Sequence, residues 1–414
     1  MKNFLKAIII CCLLTQCQSP NRIATPIVFT INAFDVPNNQ MEVTFSITNT
    51  TDTFWEGGNW SLHWNSIFGE TIPESLPEGM EYNYVDGQQY LILTFGEQYN
   101  LNPKESLSFS AVQKGIIPRL AMGPNGFFVH NKNTQTNIDL ESKIVWQNAK
   151  GIEGLNIPSA EDRYATYKTL KTVPKEQLAW VIPSPQKHEF KGEYRTPSAL
   201  NFNLDSFEMD VNFISERLQE GLTITVNSEN NLDNNLSVIQ NNSLGREAYR
   251  LQISEDKIRI EASHSTGVFY AFESLHQILL IAQNEEKGWP IITIEDAPRF
   301  ENRGFMSDVA RNFYPKEKLF QILDYMALYK LNRFDLKLTD DDGWRIEIPG
   351  LPELTEVGGK RGYTKDENDR LIPMYGSGSG DKDSSGNGFL TGQDFVEIVQ
   401  YAKKRNIEVI PQIS

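Results

Sequence analysis

Between residues 27 and 109, apolar side chains recur at every second position in short runs: Ile27-Phe29-Ile31, Val43-Phe45-Ile47, Leu91-Leu93-Phe95 and Leu107-Phe109. A period of two turns one face of a strand toward a core. Turn formers separate the runs, as in Pro37-Asn38-Asn39 and Asn49-Thr50-Thr51-Asp52. Evenly spaced short strands with this punctuation predict a β-sandwich over residues 18–165. Phe54, Trp55, Trp60 and Trp64 crowd into the same region. Aromatic faces suit pyranose rings, but filling the space between two sheets accounts better for such a cluster.

Residues 166–178 read as a linker, and the pattern changes after it. Over 179–296, strands are predicted at Leu222–Val226, Ala248–Ile253 and Lys257–Ala262, the last two forming a hairpin around Ser254-Glu255-Asp256. Val268, Phe272, Leu275, Ile278, Leu279 and Ile281 then fall at helical spacing, with Ser265 as the expected N-cap. Strands followed by a helix predict a small α+β domain.

From Ala297 strand and helix alternate. Arg303–Val309, Arg333–Leu338 and Ile407–Ile413 are predicted strands. Pro315 opens a helix that presents Leu319, Ile322, Leu323 and Met326, and a second helix, Gln393–Arg405, presents Phe395, Ile398, Val399 and Ala402. A long loop between the second and third strands carries Gly376-Ser377-Gly378-Ser379-Gly380, which reads as flexible. The order βαβαβ predicts the first units of a (β/α)8 TIM barrel over 297–414. That stretch is well short of the roughly 200 residues a closed eight-stranded barrel needs, so the barrel is expected to be incomplete, with an open sheet edge. The predicted fold class is therefore multidomain: β-sandwich, α+β domain, then partial barrel.

Composition narrows the function. The formal net charge of −15 disfavours binding to phosphate backbones. All three cysteines, Cys11, Cys12 and Cys17, precede the sandwich, leaving the body without disulfides or thiolate metal sites. Lys2 and Lys6 precede an apolar run, Ala7–Leu14, too short to span a bilayer as a mature helix. Residues 1–17 are read as an export signal. Leu14-Thr15-Gln16-Cys17 resembles a bacterial lipobox, with Gln16 in place of the usual small residue. The expectation is export to the periplasm or outer membrane, with a lipid anchor on Cys17.

The barrel strands carry a resemblance. Arg303-Gly304-Phe305-Met306-Ser307-Asp308-Val309-Ala310-Arg311 resembles the first-strand motif of glycoside hydrolase family 20. Tyr329-Lys330-Leu331-Asn332 and the run from Leu338 through Thr339-Asp340-Asp341-Asp342-Gly343-Trp344-Arg345 to Leu354 resemble its second-strand motif, in the chitobiase form. Ile407–Pro411 is similar to the third strand. Val181–Pro185 and Gly267–Ala271 resemble the domain before the barrel. Ser61-Leu62-His63-Trp64 and Lys114-Gly115-Ile116 resemble the chitobiase N-terminal carbohydrate-binding domain.

The resemblance implies an exo-acting β-N-acetylhexosaminidase that removes terminal GlcNAc or GalNAc from chitooligosaccharides or glycans. It implies substrate-assisted retention: the acetamido oxygen attacks the anomeric carbon, an Asp orients it, and a Glu protonates the leaving oxygen. No metal or cofactor is implied. The family's Asp-Glu pair follows the fourth barrel strand, so it is expected beyond residue 414, and the chain is expected to be a fragment without activity of its own. Glu285-Glu286 reads as solvated surface. Arg311 is implied to grip hydroxyls of the terminal sugar through its planar fork, and Asp340 to line the same pocket. An Arg311–Asp340 ion pair that holds loops is the structural alternative. Trp344 serves either packing or the site wall, and Asp308 reads as structural.

Four positions depart from the family. Asp335 and Lys337 replace two His of the second strand, and Gln412 and Ser414 replace two carboxylates of the third. Loss of two charges would alter the pKa of a nearby acid. The alternative function is a non-catalytic surface glycan-binding lipoprotein derived from a hexosaminidase.

Overall fold

The computed structural model describes residues 26–414 apart from 86–88, 118–121, 148–159, 172–179, 205, 229–233 and 381–383. The export signal with Cys17 and most of the predicted linker lie outside the described residues. The chain forms two compact units. One comprises the described residues of Met1–Ala165 with Ala310–Phe313 and Asp341–Phe389, and the other comprises Thr166–Val309, Tyr314–Asp340 and Leu390–Ser414.

The first unit contains two five-stranded sheets. In one, the order is Ser142–Trp146, Ile27–Asp35, Gln40–Thr48, Ser106–Lys114 and Glu70–Thr71; the first pair is parallel and the others antiparallel. In the other, the order is Met80–Val85, Tyr90–Phe95, Trp60–Asn65, Asn125–Asn131 and Thr136–Asp139, antiparallel throughout. The alternating residues meet between the sheets. Phe29, Phe45 and Phe109 are cross-strand partners. Phe45 stacks on Phe109 at 5.1 Å and packs against Trp64 at 5.4 Å between ring centroids. Trp55, Trp60 and Trp64 are buried in this core and unavailable to a sugar, whereas Phe54 is exposed.

Helix Ala160–Lys168 carries the chain from the first unit into the second and buries no residue. The main sheet of the second unit has the order Lys187–Arg195, Trp289–Asp296, Tyr249–Ile253, Ile258–Ala262 and Leu236–Gln240. The predicted hairpin forms, with Leu251 opposite Ile260. Helix Ser265–Asn284 is buried along most of its length. Its N-cap is His264 rather than Ser265: the extended His264 backbone lets its ring accept from Thr266 N at 3.1 Å. The expected strand Leu222–Val226 reduces to a two-residue ladder of Val226–Asn227 with Leu200–Asn201. The amide of Gln219 replaces a strand partner, donating to Leu222 O at 2.9 Å and Ile224 O at 2.7 Å and accepting from Val226 N at 2.9 Å. Backbone polar groups that a side chain already satisfies need no ladder.

Three parallel strands follow in the order Gly304–Asp308, Arg333–Lys337 and Glu408–Gln412, with Gly304, Arg333 and Glu408 in register. Helices Lys316–Leu328 and Gly392–Lys404 connect them in sequence. Pro315 is the N-cap of the first helix, one position earlier than expected. Leu319, Leu323, Met326 and Ala327 are buried on it. On the second, Ile398 and Ala402 are buried, but Val399 is 37% exposed, so the buried stripe is narrower than the sequence pattern suggests. Among the described residues no helix is long and apolar enough to cross a membrane.

Candidate active site

In the second unit, the parallel strands end at Asp308 and Lys337, with Asp340 just beyond. Lys337 Nζ lies 2.5 Å from Asp340 Oδ2, and both side chains are largely buried. Lys337, a departure from the family pattern, is thus an ion-pair partner of the predicted sugar-binding carboxylate. Thr339 is fully buried, and its hydroxyl accepts from Ser414 N at 2.9 Å. Asp335 sits on the middle strand between Met306 and Ile410, with one buried carboxylate oxygen that has no hydrogen-bond partner among the described residues.

In the first unit, Arg311 Nε donates to Asp342 Oδ2 at 3.2 Å. Within this unit Arg311 is thus ion-paired with Asp342, a residue of the same Thr-Asp-Asp-Asp-Gly-Trp run. The Tyr375 phenol joins this pair, and burial, followed by the Asp342 charge, raises its pKa above the usual value.

Two arginines with no exposed surface hold the backbone on either side of this group. Arg345 donates to Ala310 O from Nε at 3.2 Å and Nη2 at 3.0 Å, and from Nη1 to Gly359 O at 2.8 Å and Gly388 O at 3.1 Å. Arg361 donates to Arg311 O and to Asp342 O, the latter at 3.3 Å, and its guanidinium lies 5.6 Å from the Tyr375 ring centre. A rigid fork bonded to several carbonyls fixes both the chain and itself. Gly343 is required here because a Cβ would stand 2.6 Å from Ala310 O. Trp344 is half-buried and donates through Nε1 to Ile346 O at 2.7 Å, which ties it to its own loop.

Beside Arg311 stand three residues that its motif did not single out, Asp342, Arg361 and Tyr375. Asp342 was detectable as a further carboxylate of the Thr-Asp-Asp-Asp-Gly-Trp run. Arg361 and Tyr375 lie in a stretch with no strand or helix period, where no local signal marks them. An adjacent Asp-Glu pair does occur in the chain at Asp366-Glu367, but both side chains close a turn. Asp366 accepts from Asn368 N and Nδ2 at 3.2 and 2.7 Å, and Glu367 from Ile372 N at 3.1 Å. Among the described residues no group of three or more His, Cys, Asp or Glu could hold a metal ion.

Residues 300–414 match the catalytic domain of glycosyl hydrolase family 20, and residues 179–297 match domain 2 of the same family. Over these residues the chain belongs to glycosyl hydrolase family 20. The N,N'-diacetylchitobiase of Vibrio harveyi is 34% identical over 358 residues, which cover 80% of this chain and 40% of that protein. Beta-hexosaminidase B of Pseudoalteromonas piscicida is 37% identical over 234 residues, 56% of this chain and 30% of the relative. The chain therefore spans less than half the length of these curated relatives. The crystal structure of a Vibrio harveyi family 20 exo-β-N-acetylglucosaminidase with N-acetylglucosamine aligns over 94% of this chain and 56% of its own, with a TM-score of 0.69 and 23% identity, a likeness of fold.

Proposed function

We propose that this chain supplies the sandwich, the middle domain and the first TIM-barrel strands of an exo-acting β-N-acetylhexosaminidase. The observation that carries the reading is the motif Thr339–Arg345 with Arg311 bonded to Asp342. It offers a fixed guanidinium fork and carboxylates in the part of the sequence that follows parallel strands, where barrel enzymes gather their substrate groups. Arg311 is assigned to hydroxyls of a terminal N-acetylhexosamine, as in chitooligosaccharides, with Asp340 and Trp344 as further candidate substrate residues. Retention is substrate-assisted: the acetamido oxygen displaces the leaving group while an acid protonates it. The adjacent Asp-Glu pair that follows the fourth strand in the family has no counterpart among these strands. The protein is exported and anchored through a lipid on Cys17.

Two measurements test this. The purified 414-residue chain should release no nitrophenol from an aryl N-acetyl-β-glucosaminide, yet should bind N-acetylglucosamine in a calorimetric titration. Arg311→Ala should weaken that binding about tenfold or more, the scale of losing a charge-assisted hydrogen bond. Turnover by this chain would overturn the assigned mechanism, and sugar affinity unchanged in Arg311→Ala would remove Arg311 from the site. The substitutions at Asp335, Lys337, Gln412 and Ser414 support the second reading, a glycan-binding lipoprotein without catalysis. Joining the downstream reading frame to this chain separates the two, because only the enzyme gains turnover.

A further inference from the structure

The outward face of the sandwich sheet that contains Trp60–Asn65 is polar in sequence yet closed to solvent. Along this strand Trp60, Leu62 and Trp64 point into the core, so Ser61, His63 and Asn65 point out. Their exposures are 2%, 2% and 4%. What covers them within this unit is the loop of residues 341–389. Tyr363 lies over His130, with ring centroids 4.0 Å apart and planes 21° apart, and meets His63 edge-on at 5.6 Å. Asn65 Nδ2 donates to Pro373 O at 2.8 Å, and its Oδ1 accepts from Gly376 N at 3.4 Å. Asp139 Oδ1 accepts from Ser379 N at 2.8 Å. Lys365 Nζ donates to Gln135 Oε1 at 3.0 Å.

The predicted flexible run is therefore a docked one. Ser377, Gly378 and Ser379 are buried. Gly376 and Gly378 have φ of 78° and 66°, and a Cβ on Gly378 would approach Asp139 Oδ1 to 2.6 Å. The same loop holds the sugar-binding segment. Tyr363 N donates to Ser379 O at 2.8 Å, and two residues before Tyr363 the Arg361 guanidinium is bonded to Arg311 O. Phe313 N donates to Ser385 O at 2.7 Å, and Ser385 Oγ to Asn312 Oδ1 at 2.9 Å.

We propose that this sandwich face is the seat on which the loop rests so that Arg311 is held for the terminal sugar, with Tyr363 and Asp139 as positioning residues. This rests on the assignment of Arg311 to sugar binding. The face that resembles a carbohydrate-binding module is occupied by the protein's own loop, and its contribution to glycan recognition passes through Arg361 to Arg311.

The test uses the 414-residue chain, with amide hydrogen exchange and N-acetylglucosamine titration as separate readouts. Asp139→Ala and Tyr363→Ala should each speed exchange across residues 363–380 at least tenfold, leave the core strands Ile27–Asp35 and Gln40–Thr48 protected, and weaken the sugar at least fivefold. Tyr363→Phe, which keeps the ring, should restore both. Exchange at wild-type rates in the two alanine variants overturns the proposal. So does a loosened loop with wild-type affinity, when Arg311→Ala itself loses the sugar. Wild-type affinity in Arg311→Ala instead identifies failure of the underlying assignment.

Discussion

The ring of His63 accepts or donates at both nitrogens, to Ser61 Oγ at 2.7 Å and Tyr90 Oη at 2.6 Å, and stacks on Phe128 at 4.7 Å. Burial pushes its pKa down to about 3, and the nearby His130 and Lys132 add to the shift. A proton taken up by the unfolded chain near pH 6.5 is thus refused by the folded one. Stability carried by neutral His63 is fully present above about pH 6.5 and falls as the pH drops toward 3, by about 1.4 kcal/mol per unit. Urea unfolding at pH 7, 6 and 5 should show a shallower decline in His63→Gln than in the wild type; parallel curves would refute this account. At this scale the sequence disclosed chemistry better than partnership. Arg311 and Asp340 stand out in a motif, but the ion pairs Arg311–Asp342 and Lys337–Asp340 do not. Ion pairing depends on which carboxylate the backbone turns toward the cation, and residue order alone leaves that open. Asp342 and Asp340 are chemically equivalent as letters.

Helices and long strands were legible wherever a period outlasted the local turn chemistry. Helix Ser265–Asn284 shows both the strength and the limit. Its apolar stripe predicted the helix, while its start was set by His264, whose capping ability sequence preference ranks below that of Ser265. The same helix makes a close approach at Gly267, where an added Cβ would lie 2.5 Å from Ala248 O and 3.2 Å from Ala262 Cβ. Replacing glycine by alanine inside a helix ordinarily gains about 1 kcal/mol. Here the clash is with backbone, which cannot swing aside, and overpacking costs about 1–3 kcal/mol. Gly267→Ala should therefore lower the thermal midpoint by several degrees. A rise would show that the helix can lift off its sheet without loss. The failed strand at Leu222–Val226 has the opposite lesson: a single side chain, Gln219, satisfied a backbone that composition had assigned to a ladder.

At the scale of the molecule, the acidic surface and the absence of cysteine after Cys17 fit a chain that relies on packed cores. The proposed anchor makes a direct prediction. Cys17→Ser should move the protein from the detergent phase to the aqueous phase after expression in a bacterial host, and equal partition of both forms would dismiss the lipid. The alternation of strand and helix patterns made the parallel strands Gly304–Asp308, Arg333–Lys337 and Glu408–Gln412 readable in advance. What stayed hidden was the fate of the loop after the second parallel strand. A glycine–serine run looks mobile by composition, and only the polar sandwich face waiting for it, with Ser61, His63 and Asn65, reveals that it is a docking element.

That docking has a consequence in time. Asp139 and Ser379 are separated by 240 positions in the chain. Wherever the chain folds, its N-terminal strands emerge first. Until residue 379 follows, the sandwich presents Phe128, His63 and His130 without their cover, and the newborn domain carries a sticky aromatic face until its own distal segment arrives.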